Sequence, residues 1–384
     1  MSRATIGINL LWLVPGEVGG SEQSTVATVR GLIDLGDAEL SLRLFVRPAF
    51  AAAYPELVAA VPTDVAPIDG RSRARRILTE SMWLATQTKD LDLVHHAGGT
   101  VPPRRSTPVV LTLHDLQPLE APMEALATHS WLKRRYLSRA VPAAVRASRR
   151  VAVPSEFVRR TVLDQLSVAP ARVEVIPHAV PVRPLGTPRD VLVERHRLSG
   201  PVVLYPAITY PHKDHTVLLR AFEGVLARHP RAVLVLPGGA GPSERAVTDQ
   251  IAASPGLRQQ VRRVGRIPEA DLSGLLELAD VVAVPSRYEG FGLPALEAMA
   301  AGTPVVAADA TSLPEVVGGA GRLVPVGAIG AWSEAISDLL ADDAERARLT
   351  SAGLARAAAY TTTANAIAFA QLYRGALGRA EGGP

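Results

Sequence analysis

Two glutamates in the second half of the chain, Glu289 and Glu297, are separated by seven residues. A carboxylate can accept hydrogen bonds from a pair of sugar hydroxyls. The residues between them lead into a predicted helix start, whose unpaired N–H groups and partial positive charge attract an anion. The step from one glutamate to the other spans about 10 Å. This pattern favours a site that binds a diphosphate, with an acid on each side to bind hydroxyl groups. The alternative is that the two glutamates are solvated helix residues without a role in binding.

The residues around these glutamates predict a strand, a loop and a helix. Val281–Val284 is a short apolar β-branched run, which predicts a buried strand. A polar loop follows, Pro294 stands where a helix tolerates proline, and Gly302 stops that helix. A strand–loop–helix unit of this kind places its loop at the carboxyl edge of a parallel sheet, where open α/β sheets bind ligands.

The whole stretch from residue 285 to 300, Pro-Ser-Arg-Tyr-Glu-Gly-Phe-Gly-Leu-Pro-Ala-Leu-Glu-Ala-Met-Ala, closely resembles the signature of retaining glycosyltransferases of family 4. The resemblance extends over nearly the whole chain and is weakest at about residues 49–89. It implies the GT-B fold, an α/β architecture of two Rossmann-like, doubly wound domains that face a central cleft. It also implies transfer of a sugar, with retention, from a nucleotide diphosphate to a hydroxyl.

Other segments resemble the same family. Lys213 stands in a Pro-His-Lys-Asp-His loop before a helix, where the family places a lysine against the donor diphosphate. The family also often carries an arginine six residues earlier, and this chain has Ala207 there. Arg287 and Arg266 are both open alternatives for the missing cation. His114 closes a strand and resembles the histidine that contacts the donor sugar in many members.

The resemblance therefore implies a set of site residues. Three are expected to act in catalysis, namely Glu289, Lys213 and His114. The expected donor-binding residues are Gly20, Lys213, Gly239, Ser286, Glu289, Gly290, Phe291, Gly292, Leu293 and Glu297. On the acceptor side we expect Gly19, His114 and Asp115.

Alternating strand and helix signals along the chain predict two doubly wound parallel sheets. We expect an acceptor-side domain over residues 1–180, a proline-rich linker over 181–200 and a nucleotide-sugar-binding domain over 201–361. The last helix, about 362–384, is expected to cross back to the first domain. The run from Thr5 to Val14 is interpreted as the first strand and not as a signal peptide, since no small-residue cleavage site follows it.

Composition narrows the function further. The chain contains no cysteine, which excludes disulfides, a thiol nucleophile and thiolate metal sites. Asp90 and Asp92 come before a strand, which argues against the Asp-x-Asp metal site of other glycosyltransferases. His95 and His96 are adjacent and should point to opposite faces, so they are a poor chelating pair. We expect no metal, no cofactor and a cytoplasmic location.

A basic segment at residues 130–160 carries nine lysines and arginines and one acid, Glu156. Its aromatic and apolar residues fall at helical spacing, which suits either a solvated face over a core stripe or peripheral contact with an anionic membrane at its inner face. No nucleic-acid-binding motif accompanies it.

The resemblance to mannosyltransferases makes GDP-mannose the first expectation for the donor, with UDP-glucose, UDP-GlcNAc and dTDP-rhamnose open. The acceptor is expected to be a hydroxyl of a glycan, a lipid-linked sugar or a small molecule. Two alternatives remain: a sugar-nucleotide 2-epimerase of the same fold, and a non-catalytic subunit that binds sugar nucleotides. A dehydrogenase is disfavoured because no Gly-x-Gly-x-x-Gly follows the first strand.

Overall fold

The computed structural model describes residues 3–17, 19–68, 72–117 and 131–378, apart from the side chains of 131–134. The described residues form two compact units. Unit 1 comprises the described parts of 3–117, 131–179 and 360–378, and unit 2 comprises 180–359.

Unit 1 is built on a sheet of seven parallel strands in the order β3-β2-β1-β4-β5-β6-β7. Its strands are β1 Ala4–Asn9, β2 Leu40–Val46, β3 Thr63–Val65, β4 Leu93–His96, β5 Val109–Thr112, β6 Arg150–Val153 and β7 Val173–Val175. Its α-helices of six or more residues are α1 Gly20–Leu35, α2 Pro48–Ala53, α3 Pro55–Ala60, α4 Arg73–Thr79, α5 Trp131–Ala147, α6 Glu156–Gln165 and the last helix of the chain, α16 Thr362–Leu377.

Alternate residues of the unit 1 strands enter two separate cores. Val110 of β5 packs in a core that includes α1 and α16, whereas its neighbour Leu111 packs in another with α5 and α6. Successive strand residues point to opposite faces, so both faces of this sheet are covered by helices. The helix α16 is tied to α1 by a hydrogen bond of 2.8 Å from Thr28 Oγ1 to Asn365 Oδ1.

Unit 2 repeats the plan with six parallel strands in the order β10-β9-β8-β11-β12-β13. Its strands are β8 Val202–Leu204, β9 Val233–Pro237, β10 Val261–Gly265, β11 Val281–Val284, β12 Val305–Ala308 and β13 Arg322–Val324. Its helices are α7 Arg189–His196, α8 His215–Arg228, α9 Glu244–Ala253, α10 Pro255–Gln260, α11 Glu269–Leu278, α12 Leu293–Ala300, α13 Leu313–Val317, α14 Ile329–Ala341 and α15 Asp343–Ala357. The predicted α/β class with two doubly wound parallel sheets is confirmed.

Two segments differ from the sequence interpretation. The first strand ends at Asn9 and not at Val14, because the Asn9 side chain accepts a hydrogen bond from Leu11 N and turns the chain. Within the predicted linker, residues 189–196 form helix α7, which is held to α11 by the pair between Arg195 and Asp271. The proline-rich and charged composition of the segment hid this helix.

Each sheet has one point where the strand order reverses. In unit 1 it lies between β1 and β4, and in unit 2 between β8 and β11. Ligands of open α/β sheets bind in the crevice outside the carboxyl ends of the strands at such a point. A ligand site is therefore expected among the residues that end or follow these four strands.

None of the helices in the described ranges combines the length and apolar character that a membrane span requires.

Candidate functional site

A buried ion pair lies at the carboxyl edge of the unit 2 sheet. Lys213 Nζ is 2.6 Å from Glu289 Oε1, and both side chains are largely hidden from solvent, at 17% and 10% exposure. Lys213 ends a short 3₁₀ turn before α8, and Glu289 stands in the loop between β11 and α12. The structure thus brings together two residues that are 76 positions apart in the sequence.

The Glu289 backbone is fixed from the next loop along the chain. Its N–H donates to Thr311 Oγ1 at 3.1 Å, and its carbonyl accepts from Ser312 Oγ at 2.9 Å. Thr311 has a positive φ of 54°, which is uncommon for a β-branched residue and costs backbone energy. The strained residue Thr311 is therefore one that positions the backbone of Glu289.

Burial favours the neutral form of Glu289, but the Lys213 ammonium and hydrogen bonds from Lys213 and Ser286 outweigh it, so the pKa of Glu289 is lowered. The carboxylate is therefore ionised at neutral pH. An ionised, immobile carboxylate accepts hydrogen bonds from hydroxyl groups without first losing a proton.

A second polar contact spans the switch point of unit 2. Tyr205 directly follows β8, and its hydroxyl lies 2.9 Å from Ser286 Oγ, just past the end of β11. The same hydroxyl donates to the carbonyl of Lys213 at 2.9 Å. Tyr205 is fully buried, so it sets the position of the Lys213 loop against the Glu289 loop. Tyr205 was not among the predicted site residues, although its place after a strand was a usable signal.

Helix α12 begins without a side-chain cap. Its N-cap is Gly292, with φ of 105°, where a Cβ would lie 2.7 Å from Leu313 Cδ2. Within the described residues, the N–H groups of Gly292 and Leu293 have no hydrogen-bond partner. Such an end leaves backbone donors and the positive end of the helix dipole available to an anion.

Arg287 and Arg266, the two candidates for the cation that is missing at Ala207, have different surroundings in the structure. Arg287 is tied to Asp214, with its Nε 2.6 Å from Asp214 Oδ2. Arg266 lies along the glycine turn after β9, where a Cβ on Gly239 would be 3.0 Å from Arg266 Nε. The preceding Gly238 packs on the carbonyl of Ala207. Arg266 therefore lies beside the glycine turn whose first residue, Gly238, contacts the backbone of Ala207.

Glu297 is also paired in this structure. Its Oε1 is 2.7 Å from Arg183 Nη2, and both groups are buried, at 5% and 13% exposure. Arg183 also lies 2.5 Å from Glu269. Burial raises the pKa of Glu297, and Arg183 only partly offsets it. A ligand hydroxyl that binds Glu297 must compete with Arg183, a partner that no sequence signal indicated.

In unit 1, His114 is held by both ring nitrogens. Nε2 lies 2.9 Å from the carbonyl of Ala97 and so carries the proton, while Nδ1 lies 3.5 Å from His178 Nε2. Burial lowers the pKa of His114 to about 4, so the ring is neutral at pH 7. A hydroxyl that contacts this ring must therefore donate to Nδ1, where it competes with His178. Its neighbour Asp115 accepts from Gln117 N at 3.1 Å.

Gly19 and Gly20 stand at the start of α1. Gly19 is the N-cap, with φ of 72°, and no side chain caps this helix. The preceding loop is held by the buried carboxylate of Glu22, which accepts from Gly16 N at 2.8 Å and from the Tyr54 hydroxyl at 2.8 Å.

The predicted site residues thus fall into two groups. Those in unit 2 that lie near the start of α12 are Lys213, Ser286, Glu289, Gly290, Phe291, Gly292 and Leu293. Glu297 lies within α12, and Gly239 lies in the turn after β9. Those in unit 1 are Gly19, Gly20, His114 and Asp115. Across the described ranges, no three histidine or acidic side chains form a group that could hold a metal ion.

Comparisons with known proteins agree with this plan. Residues 191–356 match the family model described as glycosyl transferases group 1, and residues 18–183 match the model of glycosyltransferase family 4. The chain is 30% identical over 272 residues to an O-antigen chain mannosyltransferase B of Escherichia coli, covering 69% of this chain and 70% of that protein.

A D-inositol 3-phosphate glycosyltransferase of Streptosporangium roseum is 36% identical over 228 residues, which cover 56% of this chain. The match spans about half, 52%, of that relative's length. Among solved structures, Anabaena Alr3699/HepE in complex with UDP and glucose has a TM-score of 0.75 at 20% identity, covering 97% of this chain and 100% of that one. Sucrose-phosphate synthase of Thermosynechococcus elongatus has a TM-score of 0.74 at 22% identity, covering 97% and 99%. The chain belongs to glycosyltransferase family 4.

Proposed function

We propose that this chain is a retaining glycosyltransferase that moves a hexose from a nucleotide diphosphate sugar to a hydroxyl group. The observation that carries the proposal is the buried pair of Lys213 and Glu289, 2.6 Å apart, beside the uncapped start of α12. A cation and free backbone N–H groups suit a diphosphate, and an adjacent ionised carboxylate suits the sugar attached to it.

The difficult part of this reaction is the separation of charge. The anomeric carbon becomes positive as the diphosphate departs with its negative charge, and donors held in advance at the departing oxygens are the main source of acceleration. Lys213 has three N–H donors and uses one for Glu289, so two remain for phosphate oxygens. The N–H groups of Gly292 and Leu293 complete this set.

The two glutamates have separate roles in the proposal. Glu289 accepts hydrogen bonds from hydroxyls of the donor sugar and fixes the orientation of the anomeric carbon. Glu297 accepts from the ribose hydroxyls once they replace Arg183, which now lies 2.7 Å away. Arg266, beside Gly239, is the group we expect to compensate for the missing arginine at Ala207.

Retention follows in the proposal from attack on the same face that the diphosphate leaves. The departing phosphate oxygen accepts the proton of the attacking hydroxyl, so the protein supplies positive charge and orientation and no covalent nucleophile. The sugar contact expected of His114 stays a prediction, and its ring geometry restricts that contact to Nδ1.

GDP-mannose is the donor we propose, supported by the match to the O-antigen chain mannosyltransferase B of E. coli. A thermal-shift series with GDP-mannose, UDP-glucose, UDP-GlcNAc and dTDP-rhamnose tests the choice. A donor at 100 times its dissociation constant should stabilise the protein by about 2.7 kcal/mol. If no sugar nucleotide stabilises the chain, the proposal is wrong.

Product analysis then separates the proposed reaction from its alternatives. A transferase consumes donor in proportion to glycosylated acceptor, an epimerase changes the donor without any acceptor, and a non-catalytic subunit leaves the donor unchanged. Candidate acceptors are the hydroxyls of glycans, of lipid-linked sugars and of small molecules.

Peripheral membrane contact through residues 130–160 remains a proposal. Part of that segment, up to residue 130 and the side chains of 131–134, lies outside the described residues. Its described part offers an open groove on α5 lined by Arg135, Tyr136, Arg139 and Ala140.

A further inference from the structure

A charged network joins three neighbouring parts of unit 2. It consists of Arg263 on β10, Glu244 at the start of α9 and Thr209 in the loop after β8. Arg263 Nη2 lies 2.8 Å from Glu244 Oε2, and Arg263 Nε lies 3.1 Å from Glu244 Oε1, so the guanidinium binds both carboxylate oxygens. None of the three was among the predicted site residues.

Thr209 connects this ion pair to the glycine turn after β9. Its hydroxyl donates to Glu244 Oε2 at 2.7 Å and accepts from Gly241 N at 2.7 Å. Thr209 is fully buried, and the side chains of Arg263 and Glu244 are 12% and 27% exposed. Burial favours the neutral form of Glu244, but hydrogen bonds from Arg263 and Thr209 outweigh it and lower the pKa of Glu244. The three side chains therefore form one continuous set of hydrogen bonds at neutral pH.

The same network holds carbonyl groups of the glycine turn. Arg263 Nη1 donates to the carbonyl of Gly238 at 2.7 Å and to that of Leu236 at 2.9 Å. The carbonyl of the next residue, Gly239, accepts from Thr209 N at 3.3 Å. The carbonyl oxygens of Gly238 and Gly239 are therefore directed towards Arg263 and Thr209.

The direction of a carbonyl fixes the direction of the N–H group that follows it. No peptide bond of the described residues is cis, and in a planar trans peptide the C=O and N–H bonds point in opposite directions. The N–H groups of Gly239 and Ala240 must therefore point away from the network. Neither N–H has a hydrogen-bond partner within the described ranges, although Gly239 is buried. A buried N–H without a partner is rare and costly unless a ligand supplies the acceptor.

The glycine turn packs backbone to backbone on the loop that leads to Lys213. Gly238 has a φ of 134°, and a Cβ there would lie 2.1 Å from the carbonyl oxygen of Ala207. A Cβ on Gly241 would lie 2.7 Å from the carbonyl oxygen of Thr209. Because no side chain separates the two loops, a shift of one must move the other.

Positive charge lies beside the two unpaired N–H groups. Arg266 packs against Gly239, since a Cβ on that glycine would be 3.0 Å from Arg266 Nε. Burial, followed by the charges of Arg263 and Lys213, lowers the pKa of His215 to about 3, which places the network and the Lys213 loop close to the same ring. The glycine turn therefore lies in a region that favours an anionic ligand.

We propose that Arg263, Glu244 and Thr209 are positioning residues of the donor site. They hold the carbonyl groups of the glycine turn on one side, so that the N–H groups of Gly239 and Ala240 bind phosphate oxygens of the donor. The three residues act through the backbone of the turn and not by contact with the donor. This inference rests on the proposed function for the identity of the ligand.

Calorimetry with GDP, UDP and dTDP, each compared with its nucleoside, tests the proposal on the full chain. Arg263→Gln should weaken the diphosphate that binds by about tenfold, which is the loss of about one good phosphate contact. The affinity for the matching nucleoside should change less than about twofold, because it has no phosphate. Equal losses for the diphosphate and its nucleoside would show that Arg263 only supports the fold, and no loss for either would also overturn the proposal.

Arg262→Gln is the matched control for charge. Arg262 precedes Arg263 on β10, but its guanidinium donates to the carbonyls of His196 and Gln259 and not to the glycine turn. The variant removes the same charge from the same strand and should change diphosphate affinity less than about twofold. If Arg262→Gln weakens binding as much as Arg263→Gln, the effect is general attraction and the positioning role is wrong.

A pair of variants at Thr209 tests the network without any change of charge. Thr209→Val removes the hydroxyl that joins Gly241 to Glu244 and should weaken the diphosphate about tenfold, whereas Thr209→Ser keeps that hydroxyl and should bind within about twofold of the wild type. This pair decides the question if Arg263→Gln does not fold. Equal affinities of the two variants would contradict the proposal.

Nuclear magnetic resonance reports the Gly238–Gly239 peptide itself. In a chain labelled with ¹⁵N-glycine and carbonyl-¹³C-glycine, HNCO signals arise only from glycines that follow a glycine, as Gly239 does. Gly239→Ala identifies the signal by its loss. The bound diphosphate should shift this signal in the wild type, and Arg263→Gln should move the signal of the free chain and reduce that response.

These results separate the failure of this proposal from the failure of the proposed function. A diphosphate that binds the wild type without a shift of the Gly239 signal defeats the positioning role alone. If none of the three nucleoside diphosphates binds the wild type, the proposed function is wrong and the positioning role falls with it.

Discussion

In unit 1 the two strands at the switch point end in Asn9 and His96, whose side chains are 3.0 Å apart, and in unit 2 they are followed by Tyr205 and Ser286, whose hydroxyls are 2.9 Å apart. The position in the fold is the same and a hydrogen bond joins the two strand ends in both. The surroundings differ: a neutral histidine in unit 1, and beside Tyr205 the ion pair of Lys213 with Glu289.

This difference indicates two kinds of ligand. Burial lowers the pKa of four histidines in unit 1, to about 3 for His95 and His96, to about 4 for His114 and well below the usual value for His178. Their rings are uncharged hydrogen-bond donors and acceptors, a chemistry that suits hydroxyl groups: both ring nitrogens of His95 already contact hydroxyls of the protein, on Tyr373 and Thr112. Unit 2 instead presents ionised groups and a bare helix start, which suit a diphosphate.

Acid should have the largest effect, and it should act on unit 1 first. A histidine with a folded-state pKa of about 3 and an ordinary value of 6.5 is neutral in the folded state while the unfolded state takes up a proton, so stability is lost as pH falls from about 6.5 towards 3. A shift of this size corresponds to about 5 kcal/mol per group at most. Unit 1 has four such histidines, and the described part of unit 2 has two with lowered pKa, His196 and His215.

Hydrogen exchange followed by mass spectrometry between pH 7 and pH 4 measures the two units separately. Glu80 in unit 1 and Glu297 in unit 2 have raised pKa values and gain stability in acid, one in each unit, so they do not alter the comparison. As the pH falls, peptides of unit 1 should lose protection at a higher pH than peptides of unit 2. Earlier loss in unit 2 would contradict the assignment of neutral histidines.

Removal of the unit 2 charge pair should have the next largest effect. Glu289→Gln and Lys213→Ala should each lower turnover by about 10²-fold, or about 2.7 kcal/mol, because each removes an interaction with the donor sugar or the departing diphosphate. Turnover is measured as release of nucleoside diphosphate, and circular dichroism checks the fold. Glu334→Gln and Lys89→Ala, at exposed positions, are the controls. A Glu289→Gln variant with near-normal turnover would remove Glu289 from the mechanism.

Glu297→Gln should have a smaller effect. The ribose contact belongs to binding and not to the reacting centre, so we expect KM for the donor to rise about tenfold, or about 1.4 kcal/mol, with kcat nearly unchanged. The Arg183 guanidinium then loses its charged partner, which the thermal unfolding curve reports. An unchanged KM would show that the ribose does not reach this carboxylate.

Chelation of metal ions should have the smallest effect, namely none. In the proposed mechanism Lys213 and the α12 amides supply the positive charge that Mg²⁺ supplies elsewhere, so turnover in excess EDTA should equal turnover without it. A magnesium-dependent kinase in the same buffer shows that the chelator is effective. Activity that is lost in EDTA and restored by Mg²⁺ would overturn metal independence.

The sequence predicted the elements whose signals are local. The apolar run Val281–Val284, the proline at 294 and the glycine at 302 gave the strand and helix around Glu289, and alternating elements gave the two parallel sheets. Contacts across the sequence were not predictable: Arg183 on Glu297, Tyr205 on Ser286 and Arg263 on Glu244 depend on tertiary packing. The spacing of residues along the sequence does not indicate which charged side chains form ion pairs in the folded chain.

A crystal structure of the chain with a bound nucleoside diphosphate would show directly whether the Lys213–Glu289 pair and the start of α12 bind the donor. Phosphate oxygens should lie within hydrogen-bonding distance of Lys213 Nζ and of the N–H groups of Gly292 and Leu293, with ribose hydroxyls on Glu297 in place of Arg183. A nucleotide bound away from residues 286–297, with the pair of Lys213 and Glu289 untouched, would contradict it.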